Sequence, residues 1–261
     1  MTHGIGEAAA LFAAGLAAGT INTVVGSGTL ITFPTLLAFG YPPVTANITN
    51  TVGLVPGVLS GVHGYRRELQ GQRGRLLLLG SASVLGGVTG AILLLTLPSG
   101  AFKAIVPALI VVALVLVVVQ PALGRWVARR QEARGGRGQA GRANAHGGPA
   151  LWLLVYGTGV YGGYFGAAQG VILIGLLGIA FTDTLQRING AKNVLAALVN
   201  GVAAIIFISV SHVAWAAAGL IAAGSILGGQ LGAHIGRRLP PIALRIVIIC
   251  VGVVALVKLL A

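Results

Sequence analysis

Several stretches of this chain are too apolar to rest in water. Residues 76–97, 104–123, 194–210, 213–235 and 242–260 each come close to the roughly 20 residues that a helix needs to cross about 30 Å of hydrocarbon. Lipid offers the backbone no hydrogen-bond partners, so such segments must satisfy themselves as helices. The expected fold is an all-α polytopic membrane protein. A mean hydropathy of +0.94 agrees with this, and so do 42 glycines, because small residues let helices approach closely in lipid. Residues 7–37 read as part of the membrane body. Residues 1–6 carry no Lys or Arg of the kind that opens a secretory signal.

Composition closes off several kinds of chemistry. Cys250 is alone, so neither a disulfide nor a thiolate metal site is expected. The acids are Glu7, Glu68, Glu132 and Asp183, and none lies in the middle of an apolar run. A carboxylate metal cage, a buried proton relay and a cation carrier are all disfavoured. No Ser/His/Asp arrangement, phosphate loop or zinc spacing is present, so no enzyme, metal or cofactor is expected. His63, His212 and His234 fall near helix ends and read as interfacial.

The chain matches itself when residue numbers are raised by 142. Gly28 falls on Gly170 and Asn47 on Asn189, and "SVLGGVTGA" from Ser83 falls on "SILGGQLGA" from Ser225. Leu97-Pro98 falls on Leu239-Pro240, and this alignment needs no insertion. Self-similarity on this scale marks a duplication. The expected domains are repeats over residues 1–123 and 150–261, joined by 124–149. That joining stretch is rich in Arg and Gly and reads as a mobile linker. Its basic charge has a topogenic explanation, so nucleic acid is not an expected partner. The Gly86-x-x-x-Gly90 and Gly228-x-x-x-Gly232 pairs read as helix-packing notches.

Charge decides whether the repeats are parallel or inverted. Of the 17 Lys and Arg, all but Lys103 and Lys258 lie in clusters at 66–75, 125–142, 187–192 and 237–245. If every cluster faces the cytoplasm, residues 150–181 must start and end on that side. About 32 residues at 1.5 Å each would also make roughly 48 Å, too long for one crossing. This segment therefore reads as a hairpin broken at "YGGYFGAAQG". By the repeat, residues 7–37 form the matching hairpin, broken at "NTVVGSGT". The prediction is two inverted repeats, each a broken helical hairpin followed by three transmembrane helices. Both termini would lie outside and 124–149 would be cytoplasmic.

Broken helices in inverted repeats place a substrate where half-helix N-termini point their amides at an anion. The first break offers Gly26, Ser27, Gly28 and Thr29, preceded by Asn22. The second offers Gly166, Ala167, Ala168, Gln169 and Gly170. After each hairpin a polar cluster opens the next helix. Asn47, Asn50 and Thr51 share one face at i, i+3 and i+4, and Asn189, Lys192 and Asn193 share the equivalent one, with Asn200 two turns on. Neutral donors with one cation suit a small anion in a shared cavity. The blander readings are that Asn and Thr cap helices and that Lys192 snorkels to the surface.

The stretch "GTINTVVGSGTLITFPTLLAFGYPPVTANITNTVGLVPGVLSG" resembles the signature of the sulfite exporter TauE/SafE family, also called the toluene sulfonate uptake permease family. "GGYFGAAQGVILIGLLG…LQRINGAKNVLAALVN" is similar to that family's second repeat. The resemblance implies transport of sulfite, sulfoacetate or another organosulfonate across the cell membrane. It also implies eight helices, which agrees if each hairpin counts as one. "GSGT" departs from the longer glycine runs often found there. The alternatives are a carrier of a different small anion, or a membrane scaffold or assembly factor that moves nothing. The partners implied are the anion and the bilayer, and a homo-oligomer is compatible with both.

Overall fold

The computed structural model describes residues 4–135 and 147–235, together with 249–251, 253 and 256. Among these residues there are helices and no strands: α1 Ile5–Val24, α2 Thr29–Ala38, α3 Pro43–Gly64, α4 Arg73–Thr96, α5 Ser99–Gly135, α6 Pro149–Tyr164, α7 Gln169–Ala180, α8 Leu185–Val210 and α9 Trp215–Ile235. Five of them contain spans long and apolar enough to cross a membrane: Ile5–Val24, Arg73–Thr96, Gly100–Trp126, Leu185–Val210 and Trp215–His234. The predicted segment 242–260 falls largely outside the described residues. α8 begins before the apolar run 194–210, because the chain is already helical through its polar first turns.

Two hairpins organise the centre. At the end of α1, the amides of Val25 and Gly26 both donate to the Ile21 carbonyl, at 2.7 and 3.1 Å. Gly26 then turns away with φ +89°, a conformation a residue with a Cβ resists. α6 ends in the same way: Phe165 and Gly166 donate to Tyr161 at 3.0 and 3.1 Å, and Gly166 has φ +75°. α2 carries the chain back until the Tyr41 hydroxyl donates to Glu7 Oε1 at 3.2 Å. α7 likewise returns to the start of α6, where Phe181 shares an apolar cluster with Leu151 and Val155.

These matching turns correct the register read from the sequence. The turn at Gly26 recurs at Gly166, a shift of 140 (166 minus 26), and not at Ala168. The starts of α3 and α8 are related by 142 (185 minus 43). The difference is absorbed in the returning arms, since α2 has 10 residues and α7 has 12. Ala168, with φ +61°, ends the second turn in the left-handed region, where Gly28, ending the first, has φ −61°.

The helices pair across the chain. α1 lies along α9, α6 along α4, α3 along α9 and α4 along α8. Glycine permits it: a Cβ on Gly15 or Gly19 would strike the backbone of Ile221 or Ser225, and one on Gly86 or Gly90 would strike α6. Gly228 and Gly232 meet Leu16 and Thr20 of α1 in the same manner. The packing role expected for both G-x-x-x-G pairs is what the backbones show. The predicted linker needs one correction. α5 continues to Gly135, so residues 124–135 are helical, which suits the good helix formers Ala, Arg and Gln there.

Candidate functional site

The tips of the two hairpins touch. Gly26 and Gly170 meet Cα to Cα, and the Gly170 amide donates to the Gly26 carbonyl at 3.1 Å. A Cβ on Gly170 would fall on Gly26 and, at 2.9 Å, on Lys192 Cδ. Only glycine fits at this crossing. Around it the first break exposes the amides of Ser27, Gly28 and Thr29, and the second those of Ala167 and Ala168, none with an acceptor among the described residues. Free amides at half-helix N-termini form a ready anion cradle.

Each hairpin's outgoing helix ends in buried carbonyls, and a side chain from the opposite half covers them. The Lys192 ammonium donates to the Asn22 and Thr23 carbonyls of α1 at 3.0 and 3.1 Å, and Asn193 Nδ2 reaches Thr23 at 3.4 Å. Asn47 Nδ2 donates to the Tyr164 carbonyl of α6 at 2.9 Å. A cation at a helix C-terminus meets the negative end of its dipole. Lys192 is 1% exposed, so the snorkelling reading is overturned: its charge is held at the crossing by α1 carbonyls.

The remaining predicted residues divide. Asn50 turns to its own hairpin, accepting from Thr32 and donating to Thr29 Oγ1 at 3.2 Å. Asn189 donates to the Tyr65 hydroxyl at 3.1 Å. Thr51 and Asn200 bond back to their own helices, at the Asn47 and Ala196 carbonyls, so neither joins the crossing. Asn22 contributes its carbonyl and packs its Cβ by Gly28. Of the two polar faces, Asn47, Lys192 and Asn193 seal helix ends and the other residues bond elsewhere, so the faces do not line one shared open cavity. Several buried polar atoms nevertheless lack partners among the described residues: Ser27 Oγ, Asn47 Oδ1, Gln169 Nε2 and Asn189 Oδ1. An unmet buried polar group is costly, and a site that binds a polar ligand is one reason to keep it.

Some participants were not singled out from the sequence. The Tyr161 hydroxyl donates to the Ala167 carbonyl and pins the second break. Phe33 meets Phe165 edge to face at 5.2 Å, and Phe102 lies 5.6 Å from Tyr164, closing the apolar side. Tyr161, Tyr164 and Phe165 carried the signal of aromatic residues at the second break, whereas Phe102, on α5 and far from both breaks in the sequence, carried none.

The two ends of the bundle differ. At one, Asp183 pairs with Arg75 and, at 2.8 Å, with Arg187, while Arg187 Nη1 donates to the Gln70 carbonyl at 3.1 Å. Gln72 Nε2 donates to the Arg187 carbonyl at 3.1 Å, and the Arg75 guanidinium lies 4.7 Å over Phe181. The far end, about 39 Å away along the 26 residues of α8, has a cleft of about 580 Å³ lined by Glu7, Tyr41, Thr45, His212 and Trp215, among others. Burial, and then the Glu7 carboxylate, raise the Tyr41 phenol above its ordinary range, which keeps it a donor.

Known proteins resemble this chain over most of its length. The family model for the sulfite exporter TauE/SafE matches residues 11–259. "Probable membrane transporter protein YfcA" of Escherichia coli strain K12 is 28% identical over 256 residues, covering 96% of this chain and 88% of that protein. A "probable membrane transporter protein" of Haemophilus influenzae is 28% identical, covering 89% and 86%. "Probable membrane transporter protein ORF9" of a Sinorhizobium species is 27% identical, covering 96% and 91%. No solved structure matches the chain. The chain belongs to the TauE/SafE family and is a multi-pass membrane transporter.

Proposed function

We propose that the protein carries a small sulfur-containing anion, such as sulfite, sulfoacetate or another organosulfonate, across the cytoplasmic membrane by alternating access. The observation that carries this reading is the meeting of two half-helix N-termini at Gly26 and Gly170, with five amides and the side-chain donors Ser27 Oγ and Gln169 Nε2 unmet. Preorganised donors in a water-poor site can stand in for the hydration of an oxyanion and leave its atoms unchanged. Lys192 supplies the local positive potential from α1's end. The sulfur chemistry is taken from the family's description.

The working unit is two inverted repeats, residues 1–123 and 150–261. Supporting this is the recurrence of the turns at a shift of 140 and of the glycine contacts at shifts of 140 and 142. The end bearing Arg75 and Arg187 faces the cytoplasm by the positive-inside bias, with 124–149 on the same side and both termini opposite. In this state the ion pairs close the cytoplasmic end, and the cleft at Glu7 and Trp215 opens the other. Purified protein in vesicles is expected to exchange labelled sulfite across the bilayer, with Gly170→Ala abolishing the exchange. Inserted protein that exchanges chloride or phosphate but no sulfur anion would make it a carrier of another anion. Inserted protein that exchanges none of these would make it a scaffold.

A further inference from the structure

Asn47 poses a problem that a plain oxyanion does not solve. Its Nδ2 donates to the Tyr164 carbonyl at 2.9 Å. A carbonyl only accepts, so this contact fixes which end of the amide is nitrogen. The other end, Oδ1, is an acceptor on a side chain 1% exposed, and it has no partner among the described residues. It stands by the end of α6, where the two breaks meet; Ser27 Oγ of the first break and Gln169 Nε2 of the second, on residues 0% and 3% exposed, are unmet and can donate, as can the unmet Tyr164 hydroxyl. A fully ionised oxyanion answers those donors and the free amides, but it would set oxygen against Oδ1 with no proton between them.

Charge points the same way. Lys192 is the one buried cation among the described residues. Its ammonium already faces two carbonyls at the end of α1, where the helix dipole places about half a negative charge. The end of α6 adds about another half, and the starts of α2 and α7 return about half a positive charge each, so roughly one positive charge is left to balance a ligand. One negative charge fits this site better than two.

We infer that the bound form is a singly charged oxyanion that keeps its own proton: hydrogen sulfite, not sulfite. Its hydroxyl donates to Asn47 Oδ1, and its bare oxygens accept from Ser27, Gln169 and the amides of the breaks. This rests on reading the crossing as a sulfur-anion site, and it adds which ionisation state the site selects.

The test compares sulfite with methanesulfonate, which has the same three oxygens and, at every pH used, one charge and no hydroxyl. Binding of each to the purified full chain is measured by calorimetry from below to above the second ionisation of sulfite. Below it, hydrogen sulfite is expected to bind on the order of tenfold more tightly, the effect of meeting one otherwise unpaired buried acceptor. Above it, the ratio of the two affinities should collapse, and methanesulfonate, a fixed monoanion, shows alongside how far the protein's own titration changes binding. Asn47→Leu should bring the ratio near one at low pH. If that variant does not insert, the collapse in the unmodified protein decides. A ratio near one at low pH, as when a water already fills the place, overturns the inference, and so does a ratio that persists after sulfite ionises. Binding of neither anion at any pH removes the sulfur-anion reading itself.

Discussion

The two hairpins solve one problem with different chemistry. Each sends a helix into the apolar interior and ends it there, leaving carbonyls that water cannot reach. At the end of α6 a neutral amide, Asn47, covers one carbonyl. At the end of α1 an ammonium, Lys192, covers two. These are not matching positions: at a shift of 142 Lys192 corresponds to Asn50, which binds Thr29 and Thr32 within its own hairpin. Among the described residues the one buried charge, Lys192, thus stands in one half only. Their bases differ too, since the hairpin of α6 and α7 is stapled by Asp183 while the hairpin of α1 and α2 is held by the Tyr41–Glu7 contact beside an open cleft.

The sharpest way to break this comparison is at the tips. Gly170→Ala presses a methyl onto Gly26 and Lys192, and should cost about 3 kcal/mol of stability together with transport. Gly166→Ala meets only the Gly162 carbonyl at 2.9 Å but needs φ +75°, and should cost about 1.5 kcal/mol. Unfolding in detergent would measure both, and equal losses would show that the crossing is loosely packed. Next come the caps. Lys192→Met strands the Asn22 carbonyl and leaves Thr23 only the 3.4 Å bond from Asn193, and should lose about 2.5 kcal/mol, while Asn47→Leu strands one carbonyl and should lose about 1.5 kcal/mol. Lys192→Gln, which keeps one donor, should fall between them. If Asn47→Leu proves as costly as Lys192→Met, the ammonium holds no greater share than the amide. The smallest effects belong to the bases: Asp183→Asn weakens two partly exposed ion pairs, for about 1 kcal/mol, and Tyr41→Phe removes one hydrogen bond, for about 0.5 kcal/mol. A larger loss at Tyr41 would mean that the open end is the better fastened.

Much of this was legible in the sequence. The breaks at Gly26 and Gly166, the polar clusters at Asn47 and Lys192, and the glycine pairs were all visible as departures from an apolar background. What the pattern conceals is the partner. It shows that Lys192 shares a face with Asn189 and Asn193, but not that this face meets the carbonyls of Asn22 and Thr23, some 170 residues earlier. The two extra residues of α7 were also hidden, because "VILIGLLGIA" carries no polar mark to fix a register. Asp183 was legible only as an acid outside the middle of any apolar run, since its value lies in Arg75, over a hundred residues away.

The pairing of α1 with α9 and of α6 with α4 governs how the protein can be made. The glycine face of α1 finds its neighbour only when α9 exists, more than 190 residues later in the chain. At about 5–20 residues per second, ribosomes take on the order of 10–40 s to get there. For that interval α1 stands in the bilayer with its closest contact surface against lipid. Contacts this distant in sequence form slowly and late. The first half is therefore not a folding unit that waits for a copy of itself; it becomes structured when the second half arrives to hold it.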